Sequence, residues 1–305
     1  MLTVVALIAI AGGVGLFELG WPSGPAAGGL FGPPAGAAVR VPSDMCSWDA
    51  LCLPYVEDPA SRAALDLGEG WSRAWSAEWR INGTELACPV GDLASVPVSQ
   101  AAPVRHFSFA TRQRHRPGLE YVASTGTMHG FESIEEQKVL LALDFAAQVV
   151  GVLSQPFRLR YRAAGKTLNH TPDLLAVTES GCWVIDVRPA ARIEAEDRVA
   201  FAAAAEAALA VGWRYRVAAG WLPQVYTTLE DLSQRRRDPG DRFSLRSALM
   251  SATAHGPIAF GDLVASTELP AVARAQAIYL LWHRLLGMDL AEPLTDHAVI
   301  WSAAR

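Results

Sequence analysis

The chain has 305 residues, 51% of them hydrophobic and 19% charged, which allows about two domains and excludes wholesale disorder. Its net charge of −5 excludes a protein that coats nucleic acid by bulk charge, so any such contact must rest on local basic patches. The four cysteines, Cys46, Cys52, Cys88 and Cys182, form no CxxC pair, which suits a reducing compartment and speaks against a structural zinc site.

Residues 2–17, LTVVALIAIAGGVGLF, are apolar and uncharged. The run is slightly short for a bilayer span of about 20 residues. No Lys or Arg precedes Arg40, so the basic start of an export signal is missing. The following GWPSGPAAGGLFGPPAGAA is too rich in Gly, Pro and Ala for a regular element. A membrane anchor and an atypical export signal compete with a translated leader. We expect the leader over residues 1–66, with Met45 as a candidate start and a cytoplasmic location.

Residues 67–105 contain short alternating stretches, WSAEWRING and ELACPVGDLASVPV, and read as a small β-rich region. Then comes RHFSFATRQRHRPG, where Arg105, Arg112, Arg114 and Arg116 mix with His106, His115, Phe107 and Phe109. A charge run of this kind is a solvated loop or an arm whose arginines grip phosphate while the aromatics stack on bases. The four arginines are the candidate DNA contacts.

FESIEEQKVLLALDFAAQVV predicts a helix over about 134–148, with Ser133 as N-cap and Glu136 three residues on, a capping box. PFRLRYR, DLLAVT and CWVIDVR predict three strands, the last two joined by a turn at Glu179–Gly181. IEAEDRVAFAAAAEAALAVG predicts a helix ending at Gly212, and WRYRVAAG a fourth strand. This order implies an α/β fold with a mixed sheet under packed helices, not a doubly wound repeat; it occupies residues 106–222. Beyond 223, LEDLSQRRRDPGDRF reads as a polar linker or loop. Helical stretches follow around 244–254, 260–266 and 270–286, and LTDHAVIW is strand-like. Residues 223–305 thus have the outline of a winged helix.

The chemistry lies in the middle region. Leu140, Leu143 and Ala147 share the helix face of Glu136, which places this carboxylate at the top of a buried stripe. In CWVIDVR the side chains alternate, so Val184, Asp186 and Arg188 share one face. Asp173 opens the preceding strand and approaches Asp186 across the hairpin. An Asp186–Arg188 salt bridge on a solvated sheet face is the plain alternative. Three converging carboxylates, however, repel one another unless a cation neutralises them, and hard oxygen ligands suit Mg²⁺ or Mn²⁺. Such an ion activates water and stabilises charge on a phosphodiester.

The order Glu136, Asp173, Asp186-x-Arg188, carried by FESIEEQKVLLALDFAAQVVGVLSQPF, HTPDLLAVTESGCWVIDVRPA and the helix to GWRYRV, resembles the PD-(D/E)xK nucleases. Within that superfamily it is similar to the TnsA-like endonuclease subunit of heteromeric (Tn7-type) transposases, over about residues 106 to 222. The resemblance implies a restriction-endonuclease-like mixed sheet flanked by helices. It also implies metal ligation by Glu136, Asp173 and Asp186, Arg188 in the place of the usual lysine, and Glu132 as a secondary acidic candidate. It further implies hydrolysis at the 5′ ends of transposon double-stranded DNA. The implied partners are a DDE-type, TnsB-like transposase and an AAA+, TnsC-like regulator. Arginine does not give up its proton in a protein, so Arg188 is restricted to orienting water or stabilising phosphate charge. Alternatives are a non-catalytic assembly module that keeps the fold, and a stand-alone repair or restriction nuclease.

Other residues have plainer readings. Cys182 beside Trp183 is a small buried thiol. His170 reads as a loop histidine contacting solvent or backbone, with a place near the metal as the alternative. Arg274, His283 and Arg284 border a candidate recognition surface, whereas Ile278, Leu281, Trp282 and Leu285 fall at the spacing of a core stripe.

Overall fold

A computed structural model of the protein describes residues 40–53, 55–105, 117–146 and 149–303. The apolar run 2–17 and Arg112, Arg114 and Arg116 lie outside the described residues, as do His106, Phe107, Phe109 and His115. Among the described residues no helix is long and apolar enough to cross a membrane.

Residues 40–66, expected to belong to a leader, are built into the fold. Trp48 and Leu51 are buried, and Trp48 meets Trp183 edge to face, 5.2 Å between ring centroids. Ser43, ahead of Met45, exchanges two hydrogen bonds with Met288: Ser43 N donates to its carbonyl (2.8 Å) and Met288 N donates to Ser43 Oγ (2.9 Å). The short helix α1 (Pro59–Ala63) starts on Asp58, whose carboxylate accepts from Ala60 N at 3.0 Å. A single turn, α2 (Trp71–Ala74), leads into β1 (Ser76–Ile81) and β2 (Thr84–Pro89). Asn82 (φ +49°) and Gly83 (φ +80°) make the tight turn between them, the left-handed pair that suits a two-residue hairpin. β3 (Ala101–Ala102) closes on the end of β1.

The middle of the chain is mixed α/β. A hairpin, β4 (Gly118–Val122) and β5 (Thr127–Phe131), precedes α3 (Ile134–Ala146). Then come β6 (Val149–Ser154), β7 (Phe157–Ala163), β8 (Lys166–His170), β9 (Leu174–Thr178) and β10 (Gly181–Val187). α4 (Ala195–Leu209) and β11 (Arg214–Ala218) follow. One sheet runs β11-β10-β9-β6; β10 and β11 are parallel and the other pairs antiparallel. A second runs β2-β1-β7-β8, with β3 beside β1.

One expectation changes here. The first strand of the four-stranded sheet is Val149–Ser154, not PFRLRYR, which pairs with β1 and β8 in the other sheet. The burial patterns give the reason. β7 alternates strictly, with Phe157, Leu159, Tyr161 and Ala163 inward and the arginines between them exposed, as a strand covered on one face does. In β9, covered on both faces, Leu174, Leu175 and Ala176 are buried in a row.

α3 packs Val139, Leu140 and Leu143 against Leu174, Ala176 and Ile185 of the four-stranded sheet. On the sheet's other side α4 presents Ala203, Ala204, Ala207 and Ala208 to Leu175 and Val184. Alanine lets this helix approach closely while keeping high helix propensity. Its start is a capping box between Glu194 and Asp197.

The region read as a linker begins with a helix, α5 (Val225–Ser233), because Val225, Thr228, Leu229 and Leu232 fall on one buried face. α6 (Leu245–Thr253), β12 (Ile258–Ala259), α7 (Phe260–Ala265), α8 (Pro270–Trp282), β13 (Leu286–Gly287) and β14 (Val299–Ser302) complete the chain, with strand order β12-β14-β13. α8 stops at Trp282, short of the predicted 286, where Arg284 takes a left-handed conformation (φ +57°) and Leu285 N bonds back to Leu280 O at 2.9 Å. This bundle packs with Leu141, Ala142 and Phe145 of α3.

Candidate functional site: a carboxylate cleft at the sheet end

A cleft of about 280 Å³ opens where β9 begins and β10 ends, beside the starts of α3 and α4. Glu132, Glu136, Asp173, Asp186 and Arg188 all line it. Strand alternation carries Asp186 to the α4 face, two residues beyond Val184. Asp173 sits opposite it, since Asp173 N donates to Ile185 O at 3.1 Å and Asp173 Oδ2 accepts from Val187 N at 2.7 Å. Glu136 arrives from the first turn of α3. Its Oε1 accepts from Ser133 Oγ (2.8 Å) and its Oε2 from Glu132 N (2.8 Å), while Glu136 N donates to Ser133 Oγ at 3.2 Å. The capping box and the inward carboxylate of the sequence reading are therefore one feature.

Burial makes Glu136 and Asp173 costly to ionise. Glu136 is 5% exposed and Asp186 1%. Burial, then the neighbouring carboxylates of Asp186 and Glu136, holds the Asp173 carboxyl well above the usual range. Burial also raises Glu136, against the pull of its hydrogen bonds from Glu132 N–H and Ser133. Asp186 has two firm partners: His170 Nε2 at 2.9 Å from Oδ1, and the Tyr215 hydroxyl, which donates to Oδ2 at 2.6 Å. Burial opposes a charge on His170, but the Asp186 carboxylate beside it outweighs this and raises the imidazole pKa. Burial and the Asp186 charge push the Tyr215 hydroxyl well above its ordinary value.

Arg188 does not pair with Asp186. Its Nε faces Asp197 Oδ2 at 3.3 Å and donates to Arg192 O at 3.2 Å, leaving the side chain half exposed at the rim. Arg105 is fixed on the protein as well, through Gln155 Oε1 (3.1 Å) and Glu132 Oε2 (3.5 Å). Cys182 is only partly buried, and Cys46 and Cys52 are buried free thiols.

Tyr215 and Gln155 have no clear sequence signal, and His170, read from the sequence as a loop histidine, is a strand residue. His170 ends β8, a strand of the other sheet, so its reach to Asp186 depends on how the two sheets meet. Tyr215 is placed by the parallel register Val184↔Tyr215. Gln155, just before Pro156, stands at φ +47°, where a residue preceding proline ordinarily extends. Its N donates to Asp173 O at 2.7 Å and its O accepts from Val104 N at 3.0 Å. Its Nε2 has no acceptor among the described residues. Backbone strain of this kind concentrates at functional sites.

The donor set, three carboxylates and an imidazole, suits a hard divalent cation in kind, and such an ion offsets the repulsion that, after burial, raises the Asp173 carboxyl. The site is not a ready cage. Among the described residues no three His, Cys, Asp or Glu side chains are grouped so as to hold a metal ion, and both Asp186 oxygens are engaged, by His170 and Tyr215. No protein-family model matches the chain, and none of the curated proteins matches it in sequence.

Proposed function

We propose that the chain is a metal-dependent DNA endonuclease, the subunit of a transposon machine that hydrolyses the phosphodiester at the 5′ transposon ends. One observation carries this reading: Glu136, Asp173 and Asp186, drawn from a helix and two adjacent strands, meet in one cleft with Arg188 at its rim. The order α3, β6, β9, β10, α4, β11, with the last two strands parallel, supports a restriction-endonuclease-like fold. The order α6, β12, α7, α8, β13, β14 supports a winged-helix C-terminal region. Glu136, Asp173 and Asp186 would hold Mg²⁺ or Mn²⁺, which as a Lewis acid lowers the pKa of bound water and stabilises phosphoryl charge. Ser133 orients Glu136, and His170 and Tyr215 fix Asp186. Arg188 and Arg192 offer guanidinium donors to a phosphate at the rim. An acidic chain binds DNA weakly alone, so cleavage is expected with partners, a DDE-type transposase and an AAA+ regulator.

The test is strand cleavage of transposon-end DNA with partner subunits. Asp173→Ala and Asp186→Ala are expected to lose about 10²-fold or more in rate; cutting at the wild-type rate by both variants overturns the reading. A second reading, a non-catalytic assembly module, draws on the engagement of both Asp186 oxygens and on the turn of Arg188 toward Asp197. Mn²⁺ titration separates the two: no binding that depends on Asp173 favours the module.

A further inference from the structure

A second, larger cleft of about 850 Å³ lies between the β4–β5 hairpin, the end of α3 and the ends of α5 and α8. It shares no lining residue with the carboxylate cleft. Three arginines line it: Arg236 and Arg237 from the turn after α5, and Arg284 from the end of α8. Their charges are met very differently. Arg236 is paired with Glu120 Oε1 at 2.9 Å. Arg284 has no carboxylate partner among the described residues; it donates to backbone carbonyls only, those of Asp44 (2.9 Å), Cys46 (2.9 Å) and Ala146 (3.3 Å). This leaves one Nη1 proton and the Nε proton of its guanidinium unused. Among the described residues Arg237 has only the face of the Tyr121 ring, 4.4 Å from its centroid, and none of its N–H donors meets an acceptor there.

The acids in the same walls are already engaged. Asp144 accepts from Ala123 N and Ser124 N, both at 2.9 Å. Asp44 accepts from Trp301 Nε1 at 3.1 Å, and Asp238 pairs with Arg246. The cleft therefore presents spare guanidinium donors from two separate elements, while both oxygens of Asp144 and one each of Asp44 and Asp238 already accept hydrogen bonds. Arg284 is also held rigidly, in a left-handed conformation and by three carbonyls, so little side-chain freedom remains to be lost on binding.

We propose that this cleft is a phosphate-binding site that takes a nucleotide. A single carboxylate is satisfied by one guanidinium fork, whereas the oxygens of a phosphate or diphosphate engage two or more. The volume lies within the range of small-ligand clefts. His283 at the cleft wall offers a flat ring for a base. The nucleotide is either free or one unit of a strand, since both bring the same phosphate to Arg237 and Arg284.

The experiment is calorimetric titration of the full chain with pyrophosphate, adenosine diphosphate and a short single-stranded oligonucleotide, without metal. Wild type is compared with Arg237→Gln and with Arg188→Gln in the other cleft. Arg237→Gln is the informative variant because it breaks only a ring contact and leaves the fold intact. Binding that weakens about 10-fold or more in Arg237→Gln, and by more than in Arg188→Gln, sustains the proposal. If pyrophosphate and the diphosphate bind this way, the ligand is free; if only the oligonucleotide does, it is a strand. Absence of Arg237-dependent binding of all three probes at about 10 mM, an affinity weaker than any useful site, overturns it. Binding is read without cleavage, so the outcome is independent of the nuclease reading.

Discussion

Asp173 carries its carboxyl under burial and beside two other carboxylates, and each effect favours the proton over the charge. Removing that conflict while keeping the acceptor for Val187 N stabilises the protein. Asp173→Asn is expected to raise unfolding free energy by about 1–2 kcal/mol in metal-free buffer near neutral pH, read as a higher urea midpoint with an unchanged slope. An unchanged or lower midpoint shows that Asp173 is not strained by its neighbours. Functional carboxylates often carry such a cost. At this scale Glu136, Asp173 and Asp186 were legible because local rules place them: a capping box and strand alternation. The bonds of His170 and Tyr215 to Asp186 were not, because one residue comes from another sheet and the other depends on a parallel register. Neither relation is written in the spacing of nearby residues. The partner of Arg188 also escaped, since Asp197 lies on the following helix.

Among the elements, the β4–β5 hairpin carries the clearest pH signature. His129 on β5 has its Nε2 within 2.8 Å of Thr125 Oγ1 and 3.0 Å of Thr127 Oγ1. Burial lowers its pKa, against smaller raising effects from the Val152 backbone and Asp144. A histidine whose folded value is depressed contributes stability that is present above its unfolded value, about 6.5, and is lost as pH falls through the folded value. Wild type is therefore expected to lose more stability than His129→Gln between about pH 7.5 and 5, measured by urea melts at both pH values. Equal losses in the two proteins contradict the assignment. The long, strongly patterned segments, α3, α4, β9, β10 and β11, were legible as elements. β6 was hidden because its valines follow the apolar run of α3 with only Gln148 as a polar break before Val149. β7 was found, but nothing in its sequence says that its partner is β1 rather than β9. The start of the polar stretch after 223 concealed α5, whose buried face is only four residues wide.

Across the whole molecule, α3 is shared. Val139, Leu140 and Leu143 belong to the core beneath the four-stranded sheet, and Leu141, Ala142 and Phe145 to the core of the C-terminal bundle. Glu136 near its start lines one cleft, and Asp144 to Ala146 at its end line the other. A helix with apolar residues around its circumference is a buried one, and here the two halves of the molecule surround it. The consequence concerns amide hydrogen exchange. A helix at the edge of a fold frays and exchanges through small local openings. α3 has no such route, because freeing it strips apolar surface from both cores at once. Its central amides, residues 139–143, are expected to exchange at the slow limit set by global unfolding. Their protection should therefore fall by the full change in stability when Leu249, in the bundle core, is cut back to alanine, a loss of about 2–5 kcal/mol. If those amides keep their protection while the bundle loses its own, the two halves open separately.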